Sequence, residues 1–240
     1  DWRYVLSASY DKTLKLWEVS TGKEIRQFAT GHTRYIEHIA FSSDAKYALS
    51  GSRDDKTIKL WEVATGKEIR TFTHNLSVGS TVFSPDGRHV LSADHYTLRL
   101  WEMATGKEIR TFIAPGGILS TAFSPDGLYA LSGGFEHSLI LWDISTGKEI
   151  RTFTGHTSYV IYVTFSFDGR YAFSGSGDGT TRLWDISTGK EIAQFISFTD
   201  GEWIVITPEG YYNSSANGDK NLNVRVGNNV YGIENYREAF

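Results

Sequence analysis

The chain has 240 residues, of which 40% are apolar and 14% aromatic, enough for a sizeable core. Its formal net charge is −4, so no basic surface recommends nucleic acid or an anionic membrane as a partner. The absence of cysteine excludes a disulfide frame, a thiolate metal site and a cysteine nucleophile, and fits a reducing, cytoplasmic setting. Apolar stretches fall far short of the roughly 20 residues that a membrane span needs.

One period runs through most of the chain. Trp17, Trp61, Trp101, Trp142 and Trp184 recur at spacings of 44, 40, 41 and 42 residues. Thr-Gly-Lys-Glu-Ile follows each of them, at 21–25, 65–69, 105–109, 146–150 and 188–192. Phe-Ser-Pro-Asp-Gly stands at 83–87 and 123–127, with variants at 41–45 and 165–169. Self-similarity at such a period marks a repeat architecture.

Taken in chain order, residues 1–28 form a partial repeat. Trp2–Ser9 matches a second strand, so the inner strand of that repeat is missing. The abrupt start at Asp1, with no secretion leader, reads as a piece of a longer protein. Full repeats are expected at 29–72, 73–112, 113–153 and 154–195, with inner strands at 35–41, 76–83, 118–123 and 159–165. The repeat at 154–195 shows the pattern best. Tyr159–Phe165 is apolar on both faces, as a buried inner strand should be. Turn residues 167–170 lead to a second strand, Tyr171–Ser176. The Gly-Asp-Gly turn at 177–179 precedes Thr180–Ile186, which alternates polar and apolar residues. Ser187–Lys190 turns into an outer strand at Glu191–Phe195. Helical spacing is nowhere sustained. Residues 196–240 thread on the same template without the Trp. Ile206–Gly210 matches the Pro-Asp-Gly turn, Asp219–Val226 the third strand with Arg225 near the Trp position, and Asn229–Ile233 the outer strand. They read as a degenerate terminal blade. The fold expected is all-β: a β-propeller of four-stranded antiparallel blades, five to six in number, the first lacking its inner strand.

Gly31-His32 and Gly155-His156 before the inner strands, and Trp-Asp or Trp-Glu closing the third strands at 17–18, 61–62, 101–102, 142–143 and 184–185, resemble the WD-repeat family. The resemblance covers about residues 1–195, and the near-identical copies are similar to bacterial WD-repeat proteins, where propellers often sit beside other domains. It implies a hydrogen-bonded set in each complete blade. By position one set is His32, Ser50 or Ser52, Asp55 and Trp61. Another is His156, Ser174 or Ser176, Asp178 and Trp184. A His-Ser-Asp trio imitates a nucleophile with its base and orienter. This trio recurs per blade and ends each time on a Trp whose N–H needs a partner, so the structural reading is preferred. In the other repeats the turn Asp is matched by Asp11, His95 and Glu136. His74 reads as a displaced Gly-His histidine, and Pro115-Gly116-Gly117 replaces the motif altogether. Those blades are expected to be the softer ones.

No histidine shows ligand spacing, so no metal is expected. The Gly-rich pieces lack the following helix that a phosphate cradle needs, so no cofactor is expected either. The inner strands offer only Glu37 and His38 as titratable residues, which argues against an enzyme with its site in the channel. The informative contrast is between the two rims. The Pro-Asp-Gly and Thr-Gly-Lys turns share one rim and are nearly identical in every repeat. The opposite rim differs blade by blade and carries Tyr10, Arg34, Tyr35, Arg53, His95, Phe135 and Tyr159. Those residue types anchor interfaces. The expected function is a non-enzymatic scaffold that binds a protein or peptide on the variable rim. The alternative is a structural or sensor domain whose partner lies elsewhere in a larger parent protein. An incomplete first blade also invites self-association through its strand edge.

Overall fold

A computed structural model describes residues 3–226 and 229–232. Five antiparallel sheets follow one another along the chain. Blade 1 has three strands, β1 (Tyr4–Ala8), β2 (Leu14–Glu18) and β3 (Glu24–Phe28). Blade 2 has four: β4 (His38–Phe41), β5 (Tyr47–Ser52), β6 (Thr57–Glu62) and β7 (Glu68–Thr73). Blade 3 repeats this with β8 (Ser80–Phe83), β9 (His89–Ala93), β10 (Thr97–Glu102) and β11 (Glu108–Ile113). Blade 4 comprises β12 (Ile118–Phe123), β13 (Tyr129–Gly134), β14 (Ser138–Asp143) and β15 (Glu149–Thr154). Blade 5 comprises β16 (Val160–Phe165), β17 (Tyr171–Ser176), β18 (Thr180–Asp185) and β19 (Glu191–Ser197). The chain is thus a β-propeller assembly whose first blade lacks the inner strand. The inner strands line a channel wall that includes Glu37, His38, Phe41, Thr81, Ser120 and Tyr162.

The Trp-bearing strand has one local irregularity in every blade. Leu60 pairs with Arg70 and Trp61 with Glu68, so Ile69 is the extra residue of a bulge. The same step occurs before Trp17, Trp101, Trp142 and Trp184. This accounts for the isoleucine of each Lys-Glu-Ile being exposed, at 25, 69, 109, 150 and 192.

Packing between blades repeats just as strictly. The last Phe of one outer strand meets the Trp of the next blade: Phe28 with Trp61, Phe72 with Trp101, Phe112 with Trp142, and Phe153 with Trp184, at centroid separations of 5.4–5.9 Å. Each seam has its own apolar cluster. The first, for example, joins Leu6, Leu14, Leu16 and Phe28 to Ala48 and Trp61. Above each Phe the outer-strand arginine crosses to the next Thr-Gly turn. Arg26 donates to the Thr65 and Ala64 carbonyls at 2.7 and 3.0 Å. Arg70 reaches Ala104 O, Arg110 reaches Thr146 O, and Arg151 reaches Thr188 O and Ser187 O. The turn must be glycine twice over. Gly66, Gly106, Gly147 and Gly189 have φ between +75° and +78°, and a Cβ on any of them would stand 2.5–2.8 Å from the incoming arginine.

The terminal segment departs from the expected independent blade. The strands β20 (Trp203–Ile206) and β21 (Tyr212–Ser214) form a hairpin added to β19, so the fifth sheet has six strands. Gln194 pairs with Ile206 and Ser197 with Trp203. The reason is local. Where the entry loops of blades 2 to 5 pass to the channel, this segment carries Asp200-Gly201, with Gly201 at φ +87° and the Phe198 N–H bonded to Glu202 O. Asp-Gly between apolar runs is hairpin chemistry. A 3-10 turn at Gly218–Asn221 then leads to a separate ribbon of β22 (Asn223–Val226) and β23 (Asn229–Gly232). Trp2 and Ile233, assigned above to strands, lie outside the described residues.

The seam gives a measurable coupling. Gly106→Ala is expected to destabilise by about 1–2 kcal/mol or more from its left-handed backbone and the collision with Arg70. Arg70→Ala should also lower the melting temperature. The double variant should lose less than the sum of the two, by about 0.5 kcal/mol or more. Strict additivity in denaturant titrations would show that the two residues do not meet.

Candidate binding face

Three blades carry a complete polar chain through their interior. In blade 2, Trp61 Nε1–H donates to Ser50 Oγ at 2.9 Å, Ser50 Oγ lies 2.9 Å from His32 Nε2, and His32 Nδ1 lies 3.2 Å from Asp55 Oδ2. Ser50, not Ser52, occupies the middle of the chain. With its oxygen accepting from Trp61, the serine hydroxyl donates to Nε2, which assigns Nδ1–H as the proton facing Asp55. Asp55 also accepts from the Thr33 N–H and from Thr33 Oγ1. In blade 5, Trp184, Ser174, His156 and Asp178 repeat the chain at 2.8, 2.7 and 2.8 Å.

Blade 3 holds a third chain that the sequence reading misplaced. Trp101 donates to Ser92 at 2.8 Å, Ser92 lies 2.8 Å from His74 Nε2, and His74 Nδ1 lies 3.4 Å from Asp94. The turn residue is therefore Asp94, and His95, assigned to that role, projects to the rim. The cause is loop length. Ser50 and Trp61 are separated by 11 residues but Ser92 and Trp101 by only 9, so aligning on the Trp displaces the turn. Counting back from the serine would have found it: all three histidines precede their serine by 18 residues. The same count lands on Ala114 in blade 4. There Trp142 still bonds Ser132 at 2.9 Å, and a cavity of ≈ 20 Å³ lined by Ala114, Ser132, Glu136 and Ser138 stands in place of the imidazole. Blade 1 keeps only the Trp17–Ser7 bond, at 2.8 Å.

Burial depresses the three imidazoles below their ordinary range, more than the neighbouring carboxylates restore. Burial pushes the carboxylates the other way, yet Asp55, Asp94 and Asp178 are held low by the hydroxyl and backbone donors around them. His38, on the channel wall, is lowered to about 4 by burial and by the positive charge of Arg53.

The rim residues fall into two groups. Tyr10 and Tyr35 meet edge to face at 4.8 Å and line a cleft with Arg53, Glu37 and Asp54. Phe135 meets Tyr159 at 4.8 Å, His95 packs 6.2 Å from Phe135, and His137 packs 5.6 Å from Tyr159. A groove containing Glu37, His38, Arg53, His95, Phe135 and Ile161 connects the two groups. Tyr10, Tyr35 and Tyr159 are 70%, 44% and 48% exposed. Arg34 is exposed but lines neither cleft nor groove. Tyr96 and His137 belong to this surface as well, and their place follows from the turn geometry rather than from residue type.

Two outcomes follow. His74→Ala removes the acceptor of the buried Ser92 hydroxyl and the imidazole donor to Asp94 Oδ2, and should destabilise by about 1–3 kcal/mol, as much as His156→Ala; a blade 3 insensitive to the change in thermal melts would contradict the chain. The pH effect has a definite sign. Above about pH 6.5 the depressed histidines are neutral in both states; below it the unfolded chain takes up protons that the folded one refuses, so stability falls with pH. For His38 the loss runs from 6.5 down to about 4. Melting temperature should therefore drop between pH 7.5 and 5, and less steeply in His38→Gln.

A family model described as the first β-propeller of IFT122 matches residues 1–224. The small ribosomal subunit protein RACK1 of Caenorhabditis elegans is 39% identical over 59 residues, 21% of this chain and 18% of that protein. Its Arabidopsis thaliana counterpart RACK1z is 39% identical over 54 residues, 21% of this chain and 16% of that protein. The matched segments thus span under a fifth of each relative's length. With five Trp-anchored sheets and a model match over most of its length, the chain belongs to the β-propeller family of the IFT122 first propeller, and its repeats are of the WD type.

Proposed function

We propose that the chain is a non-enzymatic scaffold whose variable rim binds a protein or extended peptide. The observation that carries this is the grouping of rim aromatic rings, three of them exposed tyrosines, into two contacting pairs, Tyr10–Tyr35 and Phe135–Tyr159, joined by a groove that contains Arg53 and His95. Aromatic and arginine anchors beside a concave surface are the usual source of interface energy. The His-Ser-Asp trios support the same reading. Ser50, Ser92 and Ser174 have no accessible surface and already accept from a Trp, so none is placed to attack a substrate. No helix among the described residues is long and apolar enough to cross a membrane, and a cytoplasmic setting accords with the cysteine-free sequence. The near-identity of the repeats favours a second reading, a bacterial structural or sensor propeller whose partner is another domain of a larger protein.

The test is a pull-down with wild type and with the Tyr35, Arg53, Phe135 and Tyr159 quadruple alanine variant. Partner recovery should fall at least tenfold while the melting temperature shifts by a few degrees at most, because Tyr35 and Tyr159 are exposed and Arg53 and Phe135 only half-buried at the rim. Unchanged recovery with the variant would exclude the rim as the binding face.

A further inference from the structure

Among the described residues, the outer strands β3, β7, β11 and β15 each stand at the edge of their sheet, whereas β19 is covered by β20. That pair shows what such an edge accepts. The incoming strand, Trp203–Ile206, is antiparallel and uncharged, with Val205 opposite Phe195 and Ile204 opposite Ile196. Register locates the counterpart of Ile196 in the other blades. Thr180 pairs with Ile196, as Thr57 pairs with Thr73, Thr97 with Ile113 and Ser138 with Thr154. Blades 2 and 4 therefore place threonine there, and blade 3 places isoleucine. Ile196 is half-buried beside β20, but Ile113 is 71% exposed. The residue before the third strand differs in the same sense. It is Lys56 in blade 2, His137 in blade 4, and Tyr96, 54% exposed, in blade 3. The Tyr96 carbonyl accepts from the Ala114 N–H and the Lys56 carbonyl from the His74 N–H, both at 2.8 Å, so the two residues hold the same place beside the end of the outer strand. Lysine and other polar residues at a free edge discourage a further strand, and blade 3 has apolar residues at both positions.

We propose that the outer edge of β11 takes up an extended, uncharged strand of a partner protein, bound antiparallel with a β-branched residue opposite Ile113. Thr111, Phe112 and Ile113 match Gln194, Phe195 and Ile196 in position, so the chain itself contains both the edge and, in β20, an example of its occupant. Main-chain hydrogen bonds supply the affinity, and the contact with Ile113 sets the register. A slip by one residue would turn the incoming apolar side chains to the other face and lose that contact. Ile113 lies outside the rim cleft and groove, and neither it nor Tyr96 is changed in the quadruple variant, so failure of one reading leaves the other standing.

The test uses a fluorescent peptide copying residues 201–208, which carries β20 with its flanks, titrated against the whole chain by anisotropy. It should bind wild type about fivefold more tightly than the double variant Ile113→Thr, Tyr96→Lys. That variant gives blade 3 the two residues of blade 2. Both positions are exposed, so its melting temperature should stay within about 2 °C of wild type. A peptide N-methylated at the positions of Val205 and Ile206 should bind about tenfold more weakly. Adjacent residues of a strand point their N–H groups to opposite sides, so one of the two must face the edge. The proposal fails if the peptide does not bind wild type. It fails if the double variant binds the peptide as tightly as wild type, which would place the peptide elsewhere, for example on β19 in exchange for β20. It fails also if N-methylation leaves binding intact, because the contact would then be apolar adhesion without strand pairing.

Discussion

Everything in this molecule depends on the fact that one blade cannot bury its own faces. A twisted four-stranded sheet has two broad sides and little internal volume, so its apolar residues find cover only against the next sheet. The chain solves this with one seam used four times. The Phe–Trp contact removes the largest apolar surfaces from water, and the arginine above it ties the outer strand of one blade to the turn of the next. The arginine donates to carbonyls that a tight turn leaves pointing outward. The turn can take it only because glycine supplies both the left-handed backbone and the missing Cβ.

The seam also explains a feature that the interior polar chains alone leave open. The buried Trp brings an N–H into an apolar region, where an unpaired donor costs several kcal/mol in the worst case. A serine answers it in every blade, but only three blades continue to histidine and aspartate. Blade 4 has Ala114 and a small cavity in that place, and its seams on both sides are intact: Phe112 covers Trp142, and Phe153 covers Trp184. The Trp–Ser bond and the seam recur without exception where a neighbouring blade exists; the imidazole is an addition to them.

How far the sequence could be read follows from the same division. The all-β repeat, the missing inner strand and the polar chains of His32 and His156 were legible because they are tied to residues at nearly fixed spacing, Trp, Thr-Gly-Lys and Gly-His. The set in blade 3 was hidden because its connecting turn is two residues shorter, so an alignment anchored on Trp101 put His95 where Asp94 stands. The terminal hairpin was hidden because Ile206–Gly210 matches the repeat's turn motif in isolation. What decides the path of the chain is the earlier Asp200-Gly201 turn, which folds β20 back on β19 instead of sending it to the channel. The arginine seam was invisible for another reason: Lys-Glu-Ile-Arg looks like a solvated charged surface until the next blade is placed beside it.

That last point changes what repetition on a rim means. The Thr-Gly-Lys turns of blades 2 to 5 each receive an arginine from the neighbouring blade, so their uniformity is a packing requirement and says nothing about a ligand. The opposite rim carries no part of the Arg–Gly contact. Its turns are free to differ, and mere freedom would give scattered, unrelated side chains. What stands there instead is ring against ring, Tyr10 with Tyr35 and Phe135 with Tyr159, each pair bridging two adjacent blades while leaving tyrosine surface in water. Exposed rings lose the solvation advantage that polar turn residues would have kept, and the seams, already complete below them, do not need the contact. Differences that converge on one chemical character across neighbouring blades are what supports the proposed binding face.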